Sequence, residues 1–237
     1  AREAGFENMG LDLIYGIPGQ IRESWRSDLQ RAIEFDPEHL SCYMLTLEPD
    51  TPLYKDRQKG IFRPLNEDAA ADLFKTTVTF LNDSGYAQYE ISNFARSESK
   101  RSRHNQKYWS DVPYIGLGPS AHSFTGDERC WNHRSVKKYM RDIRAERRPI
   151  AEQEVLTKEQ RMTEAIYLGL RKTEGISVDT FDDAFGSSFE EMFRELIQSF
   201  EEEGLMHKHQ NRCWLTQNGM LFLDSIASIL NDKISCV

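Results

Sequence analysis

The sequence has few cysteines, and they are far apart. Four thiols, Cys42, Cys130, Cys213 and Cys236, are scattered over 237 residues. No two of them are close enough to indicate a disulfide framework or a zinc knuckle. These cysteines are therefore predicted to be ordinary buried or surface side chains.

Long apolar runs and an excess of positive charge are absent as well. No apolar run approaches the roughly 20 residues of a membrane span, and the N-terminus carries no secretion signal. A soluble, cytoplasmic protein without a transmembrane segment is expected. The net charge of −8 argues against a protein that coats nucleic acid, because such binding depends on cations that neutralise phosphates. Small molecules or proteins are the expected partners.

The first half of the chain alternates strand-like and helix-like segments. A chain of this length that is 39% hydrophobic can bury a core of one large or two modest domains. The predicted elements are a strand at 11–15, a helix at 23–35, a strand at 40–47, a helix between Asn66 and Gly85, and a strand at 86–91. This alternation predicts parallel βαβ units from an α/β barrel or an open sheet.

The middle of the chain is more polar. By composition, residues 96–107 form an exposed basic loop, residues 114–124 a Gly-rich turn segment, and residues 135–144 a short helix. A charged linker is predicted near 146–154. We place a domain boundary there, which divides the chain into residues 1–150 and 151–237.

After the linker the pattern is that of a winged helix. The predicted elements are a helix with a Thr157–Gln160 capping box that runs to Leu170, a helix at 177–185, a helix opened by Ser187 and Glu190, a hairpin at 205–215, and a final helix from Thr216 to Leu230. Residues 158–233 contain 14 acidic and 8 basic residues, and six glutamates lie in or next to the third helix. This helix would repel phosphates, so DNA binding is not expected.

Asp12 is the first candidate binding residue. Side chains alternate along a strand, so Asp12, Ile14 and Gly16 share one face of the first predicted strand. A carboxylate buried in apolar surroundings is costly unless a ligand or a donor pairs with it. Asp12 is therefore predicted either to contact a ligand or to pair with a neighbouring Arg or Lys.

Several blocks of the sequence resemble the HemN/HemW family of radical-SAM proteins. The blocks occur in order and, together with the winged-helix-like tail, cover nearly the whole chain. They are LDLIYGIPGQ at 11–20, LSCYMLTLEP at 40–49, YEISNFA at 89–95, HNQKYW at 104–109 and GLGPSAHS at 116–123.

The resemblance implies an α/β fold, the C-terminal part of a partial TIM-like radical-SAM barrel followed by a small, winged-helix-like, mainly α domain. It implies that the intact protein uses SAM and a [4Fe–4S] cluster held by a CxxxCxxC motif, whose remaining iron binds SAM. That motif does not occur in this sequence, so the cluster ligands are expected upstream of Ala1, and this chain alone is not expected to be catalytic. By the same resemblance Asp12 and Thr46 contact SAM, at corresponding points of adjacent strands.

The segment 104–109 resembles the HNxxYW motif of the haem-chaperone branch, whose histidine is implicated in haem binding. A neutral imidazole is a good iron ligand, Tyr108 and Trp109 offer flat surfaces to a porphyrin, and nearby cations can pair with propionates. His104 is therefore a haem-ligand candidate, and the alternative is that the motif packs a loop over the barrel mouth. His122 is a second haem candidate, whose alternative is a structural hydrogen bond.

Three functional hypotheses follow. The first is a haem chaperone that binds haem and delivers it to a haem-accepting protein, with a cluster and SAM in the intact chain. The second is an oxygen-independent coproporphyrinogen III oxidase of porphyrin biosynthesis, which decarboxylates propionates by means of SAM-derived radicals. The third is a winged-helix regulatory module, against which the acidic tail weighs.

Overall fold

The computed structural model describes residues 1–234, so Cys236 lies outside the described residues. The chain forms two compact units that divide between Ser102 and Arg103. The boundary predicted at residue 150 falls within the second unit. The division into domains 1–150 and 151–237 stays a prediction. Within the described range, no helix is both long enough and apolar enough to cross a membrane.

The first unit contains a four-stranded sheet and the helices that cover it. Its elements are β1 (Gly10–Tyr15), α1 (Arg22–Glu34), β2 (His39–Met44), α2 (Pro52–Gln58), α3 (Glu67–Asp83), β3 (Ala87–Glu90) and β4 (Asn93–Ala95). The predicted strand–helix–strand unit and the helix capped by Asn66 are confirmed. The second strand ends at Met44, three residues before the predicted end.

The sheet is mixed, with the strand order β1-β2-β4-β3. β1 and β2 are parallel, whereas β4 pairs antiparallel with both β2 and β3. The prediction of parallel βαβ units is confirmed for β1 and β2, but it missed β4, which makes the sheet mixed. Only Ile91 and Ser92 separate β3 from β4, and a connection that short can join only antiparallel strands. β3 nevertheless runs in the same direction as β1 and β2.

The helices α1 and α3 pack together and cover one face of this sheet. Trp25 of α1 is 1% exposed, and its ring stacks on Tyr15 of β1 with the centroids 5.2 Å apart. The indole Nε1 of Trp25 donates a hydrogen bond of 2.8 Å to the buried Thr77 hydroxyl of α3. Because Tyr15 points towards this core, the alternate residues of β1 belong to the opposite face.

The second unit follows from Arg103. Its elements are α4 (Arg103–Trp109), β5 (His122–Phe124), β6 (Glu128–Asn132), α5 (Val136–Arg144), β7 (Ile150–Val155), α6 (Lys158–Arg171), β8 (Ile176–Ser177), α7 (Val178–Phe185), α8 (Phe189–Glu202), β9 (Met206–His209), β10 (Arg212–Leu215), α9 (Gln217–Met220) and α10 (Leu223–Ile234).

Two segments of the middle region were wrongly predicted to lack regular structure. The exposed loop predicted at 96–107 contains a 3-10 turn and most of α4, because α4 packs against α6. The charged linker predicted near 146–154 contains most of β7, which pairs antiparallel with β6. Its side chains are largely exposed, so pairing with β6 rather than an apolar pattern holds this strand.

The winged-helix-like arrangement of α6, α7, α8 and the β9–β10 hairpin is confirmed. The Thr157–Gln160 capping box is present. The third helix, however, is capped by Ser188, whose hydroxyl accepts a hydrogen bond from the Glu191 N–H, and not by the predicted Ser187. The single final helix was also wrong, because the chain breaks into α9 and α10.

Gly175, before β8, makes a close approach that only glycine allows. Its φ is +69°, and a Cβ built there would lie 2.1 Å from the carbonyl oxygen of Cys213 in β10. Gly186, after α7, has a similar φ of +58° but nothing within 4 Å of the same position. Backbone conformation alone explains Gly186, whereas Gly175 also brings two chain segments together.

Candidate functional site

Asp12 lies on the face of the sheet opposite α1 and α3. Its Cα partner is Ser41, so Asp12 shares this face with His39 and Tyr43 of β2. The side chain is exposed, and it makes no hydrogen bond or ion pair with any residue in the described range. The expectation of a buried acid was therefore wrong, and the Arg or Lys partner is not found. A carboxylate in this position is available to a ligand.

Thr46 is not at the corresponding point of the adjacent strand. The register pairs Asp12 with Ser41 and Tyr15 with Met44, so Thr46 lies two residues beyond the end of β2. The prediction of corresponding positions was wrong because β2 stops earlier than its apolar pattern indicates. Thr46 is exposed, and its hydroxyl donates a long hydrogen bond of 3.5 Å to the Met44 carbonyl.

A row of polar residues continues from Asp12 across the sheet. Ser41 pairs with Asn93 of β4, and Asn93 pairs with Glu90 of β3. Glu90 and Asn93 are fully buried, and the Glu90 carboxylate accepts hydrogen bonds from the Asn93 side chain and from the Ser92 N–H, the latter at 2.8 Å. This row was not predicted from the sequence, because it depends on β4, although the YEISNFA block contains two of its members.

His39 and Tyr89 form a hydrogen-bonded pair at the side of this row. Tyr89 lies where the register between β3 and β4 shifts, and such bulges redirect side chains. The Tyr89 hydroxyl is 2.7 Å from Nε2 of His39 and accepts a hydrogen bond of 3.1 Å from the Ser102 N–H. Burial lowers the pKa of His39, opposed by the Asp12 carboxylate, and raises the pKa of Tyr89 to about 12. Both groups are therefore neutral near pH 7.

The cysteines of the described residues do not fit an iron–sulfur cluster. Cys42, Cys130 and Cys213 are all buried and unbridged. Burial raises the pKa of Cys42, with a further contribution from the Asp12 carboxylate, and burial raises the pKa of Cys213 to about 12. No group of three His, Cys, Asp or Glu side chains that could hold a metal occurs in residues 1–234.

We predict that the 237-residue chain alone assembles no [4Fe–4S] cluster. Cluster iron needs several thiolates at one point, whereas the described thiols are buried on different elements. Anaerobic reconstitution with iron and sulfide should leave the protein colourless. Stoichiometric iron and sulfide, with a broad absorbance near ~400 nm that persists after desalting, would contradict this prediction.

His104 is exposed in the first turn of α4. Its ring meets the edge of Tyr108, four residues later, with the centroids 4.9 Å apart at 77°, and Tyr108 in turn contacts Tyr114 at 4.6 Å. Residues four apart lie on one helix face, so α4 itself creates the His104–Tyr108 contact. In the part of the chain that the structure describes, the imidazole makes no hydrogen bond and no ion pair. Its nitrogens are therefore open to a ligand.

The other members of the HNxxYW block have different environments. The guanidinium of Arg171 lies over the Trp109 ring, 6.0 Å from the centroid, so Trp109 packs towards α6. Arg103 and Lys107 are exposed on α4, as expected for cations that could meet an anionic ligand. The structure therefore leaves Tyr108, rather than Trp109, beside the candidate histidine.

His122 lies in β5 and packs on a different aromatic residue from His104. Its ring stacks on Trp131 of β6 at 5.5 Å and 27°, and its backbone packs tightly on Gly116. A Cβ at Gly116 would lie 2.1 Å from the His122 carbonyl oxygen. The two histidines thus pack on different aromatic residues, and the contacts of His122 are those of a residue that holds the Gly-rich turn.

Comparison with solved structures identifies the fold. The chain superposes on the structure titled "Coproporphyrinogen III oxidase (HemN) from Escherichia coli is a Radical SAM enzyme" with a TM-score of 0.75 at 22% identity, over 97% of this chain and 56% of that chain. The fold of this chain is therefore that of a little more than half of the HemN structure. Residues 156–222 also match the family model described as the HemN C-terminal domain.

Curated relatives agree with this assignment. The heme chaperone HemW of Bacillus subtilis is 36% identical over 93% of this chain and 58% of its own length. The heme chaperone HemW of Lactococcus lactis is 34% identical over 92% of this chain and 57% of its own length. The chain belongs to the HemN/HemW family of radical-SAM proteins and spans somewhat more than half the length of these relatives.

Proposed function

We propose that this chain is part of a haem chaperone of the HemW type, which binds haem and passes it to a haem-accepting protein. One observation carries the proposal: the imidazole of His104, in the HNxxYW block, is exposed with both nitrogens unbonded among the described residues. A neutral imidazole nitrogen is a suitable axial ligand for haem iron. The names of the relatives that match over most of this chain support the same function.

In this proposal the surroundings of His104 recognise the porphyrin. Tyr108 limits the rotation of the imidazole and adds an aromatic surface next to it. Arg103 and Lys107 are exposed cations on the same helix and suit the haem propionates. His122 is the weaker candidate, because one face of its ring is covered by Trp131.

We also propose that the intact protein binds SAM and a [4Fe–4S] cluster, as the family implies. The exposed part of the sheet face at Asp12 fits SAM, since the Asp12 carboxylate can accept hydrogen bonds from its amine or hydroxyl groups, and Thr46 can border the same ligand. SAM and the cluster would supply radical chemistry.

The proposal is tested with the intact protein, by haem binding and by catalysis in parallel. We expect haem titration to give a saturable Soret band, haem transfer to an apo acceptor, and no protoporphyrinogen from coproporphyrinogen III. The solved structure that shares this fold is titled as a coproporphyrinogen III oxidase, so this oxidase is the second candidate function. Catalytic decarboxylation of coproporphyrinogen III by a protein that does not bind haem stably would favour the oxidase and refute the chaperone.

The winged-helix-like tail gives a separate prediction, negligible affinity for duplex DNA at physiological salt. Glutamates line α8, and even the hairpin cation Lys208 is paired with Glu190 at 2.6 Å. The electrostatic attraction on which DNA binding depends is therefore missing. A sequence-specific gel shift at sub-micromolar protein that survives moderate salt would show that this prediction is wrong.

The cytoplasmic location of the protein also stays a prediction.

A further inference from the structure

We propose that the second unit carries a surface that binds the headgroup region of an anionic phospholipid membrane and lies on that membrane without crossing it. This α5 surface consists of the outward side of α5 and the Gly-rich turn at 115–118, which contacts α5. The proposal concerns an additional interaction of the protein, so it does not depend on the haem and SAM proposals.

The α5 surface is strongly basic, although the protein as a whole is acidic. Residues 133–148 contain seven Lys or Arg and two acidic residues, a net charge of +5, whereas the whole chain has a net charge of −8. Among residues 1–234, five of these seven cations make neither a hydrogen bond nor an ion pair through their side chains, and all five are exposed. They are Arg134, Lys137, Lys138, Arg144 and Arg148.

The acidic residue of α5 does not offset this charge. Asp142 is buried, and its carboxylate lies 2.7 Å from the Arg147 guanidinium, 3.1 Å from that of Arg141 and 3.2 Å from the His133 ring. These partners neutralise the Asp142 charge within the protein. The outward side of α5 therefore presents positive charge that has no partner in the described part of the chain.

The same side of α5 exposes an apolar stripe. Val136, Met140 and Ile143 are four and three residues apart, which places them on one helix face, and they are 64%, 40% and 46% exposed. Lys137 and Arg144 are three and four residues from Met140, so these cations flank the stripe. A short helix with an exposed apolar stripe and flanking cations is typical of helices that lie in the membrane interface.

The turn at 115–118 adds two apolar side chains to the α5 surface. Ile115 and Leu117 are 83% and 86% exposed. The Gly118 N–H donates a hydrogen bond of 3.1 Å to the Tyr139 hydroxyl of α5, so the turn lies against the helix. The apolar groups of the turn and of the helix therefore belong to neighbouring parts of one surface.

Backbone contacts hold the turn in this position. The Asn132 side-chain amide donates hydrogen bonds to the carbonyl oxygens of Gly116 and Gly118, at 3.2 and 2.9 Å. Gly116 faces the protein, because a Cβ there would lie 2.1 Å from the His122 carbonyl oxygen. The backbone and the glycines fix the turn, so its two large apolar side chains are not needed for packing and are available to a partner.

The combination of charge and apolar surface selects the partner. A nucleic acid would neutralise the cations but would give the apolar stripe nothing to bury. An apolar protein groove would bury the stripe but would leave the cations without counter-charges. A membrane of anionic lipid has phosphates at the surface and acyl chains below it, and Lys and Arg side chains can reach the phosphates while their stems cover apolar surface.

The test is co-sedimentation of the intact protein with lipid vesicles. We expect binding to vesicles of phosphatidylglycerol mixed with phosphatidylcholine and negligible binding to phosphatidylcholine alone. Added salt should weaken the binding, because it screens exposed charges. The triple variant Lys137→Gln, Lys138→Gln, Arg144→Gln should lower the partition coefficient by about 100-fold, which corresponds to about fivefold for each cation.

Leu117→Gln tests the apolar contribution separately. It should lower the partition coefficient by about tenfold, because the apolar area of this leucine no longer enters the membrane. The ratio to the wild-type protein should be the same at every salt concentration, since this loss is not electrostatic. The matched control is Ile229→Gln, which changes an exposed apolar residue of α10 and should bind vesicles like the wild-type protein.

Three results would refute the proposal. The first is that the intact wild-type protein does not bind anionic vesicles, which would indicate that another part of the protein or a partner protein covers the α5 surface. The second is vesicle binding that neither variant weakens, because the lipid would then bind elsewhere. The third is that the triple variant loses binding to vesicles and to heparin alike while Leu117→Gln loses neither, which would define a general polyanion site without membrane insertion.

Discussion

Replacement of His104 by alanine in the intact protein is expected to weaken haem binding by at least about 10–100-fold, the loss typical when only a group that supports a metal ligand is removed, and to shift the Soret band. The reason is that the imidazole is the exposed group of α4 with unbonded nitrogens, and alanine offers the iron no ligand. Haem titration followed by absorbance measures both quantities. Circular dichroism would establish that the variant is folded.

The matched variant is His122→Ala, which removes the other candidate histidine from the same unit. It should leave the spectrum nearly unchanged, because this ring stacks on Trp131. Tyr108→Phe keeps the aromatic contact with His104 and should bind haem normally, which separates ligation from packing. Wild-type affinity and an unchanged spectrum for His104→Ala would mean that the histidine packs the helix and does not ligate iron.

Replacement of Gly175 by alanine is expected to destabilise the second unit by about 2–5 kcal/mol. Two costs add: a left-handed backbone that disfavours a side chain, and a methyl group that would lie 2.1 Å from the Cys213 carbonyl oxygen. The neighbouring atom is backbone and cannot rotate away, so the strands β8 and β10 must separate. Urea unfolding followed by tryptophan fluorescence and circular dichroism gives the change in the free energy of unfolding.

Gly186→Ala isolates the first of these costs. Its φ is also positive, but nothing lies within 4 Å of the added methyl group, so a loss of only about 1–2 kcal/mol is expected. Equal losses of stability for the two variants would mean that β8 and β10 can move apart at no cost in free energy. The close approach at Gly175 would then be unimportant for stability.

Local sequence signals predicted the elements that satisfy their own hydrogen bonds and bury an apolar stripe. The helix after Asn66 and the helix after Thr157 follow from a capping side chain and regularly spaced apolar residues, and both are present. β4 and β7 were missed because neither has such a pattern. Each is held by its pairing with strands distant in sequence, and local residues carry no information on such pairing.

The candidate sites show the same difference. The motif around His104 was recognisable in sequence, but the geometry that leaves its imidazole open depends on α4, which had been assigned to a loop. Asp12 was identified from strand alternation, whereas its neighbour His39 was not. The surroundings of His39 depend on the register with β1 and on its hydrogen bond with Tyr89, fifty residues later in the chain.

The position of β1 at the edge of its sheet affects how this chain behaves in solution. Among the described strands, β1 pairs with β2 alone, and Ile14 on its open face is 57% exposed. A strand with one unpaired backbone edge and an apolar side chain is a template for pairing between molecules. Concentrated preparations of the 237-residue chain should therefore self-associate through β1, and lysine in place of Ile14 should reduce light scattering without unfolding the protein.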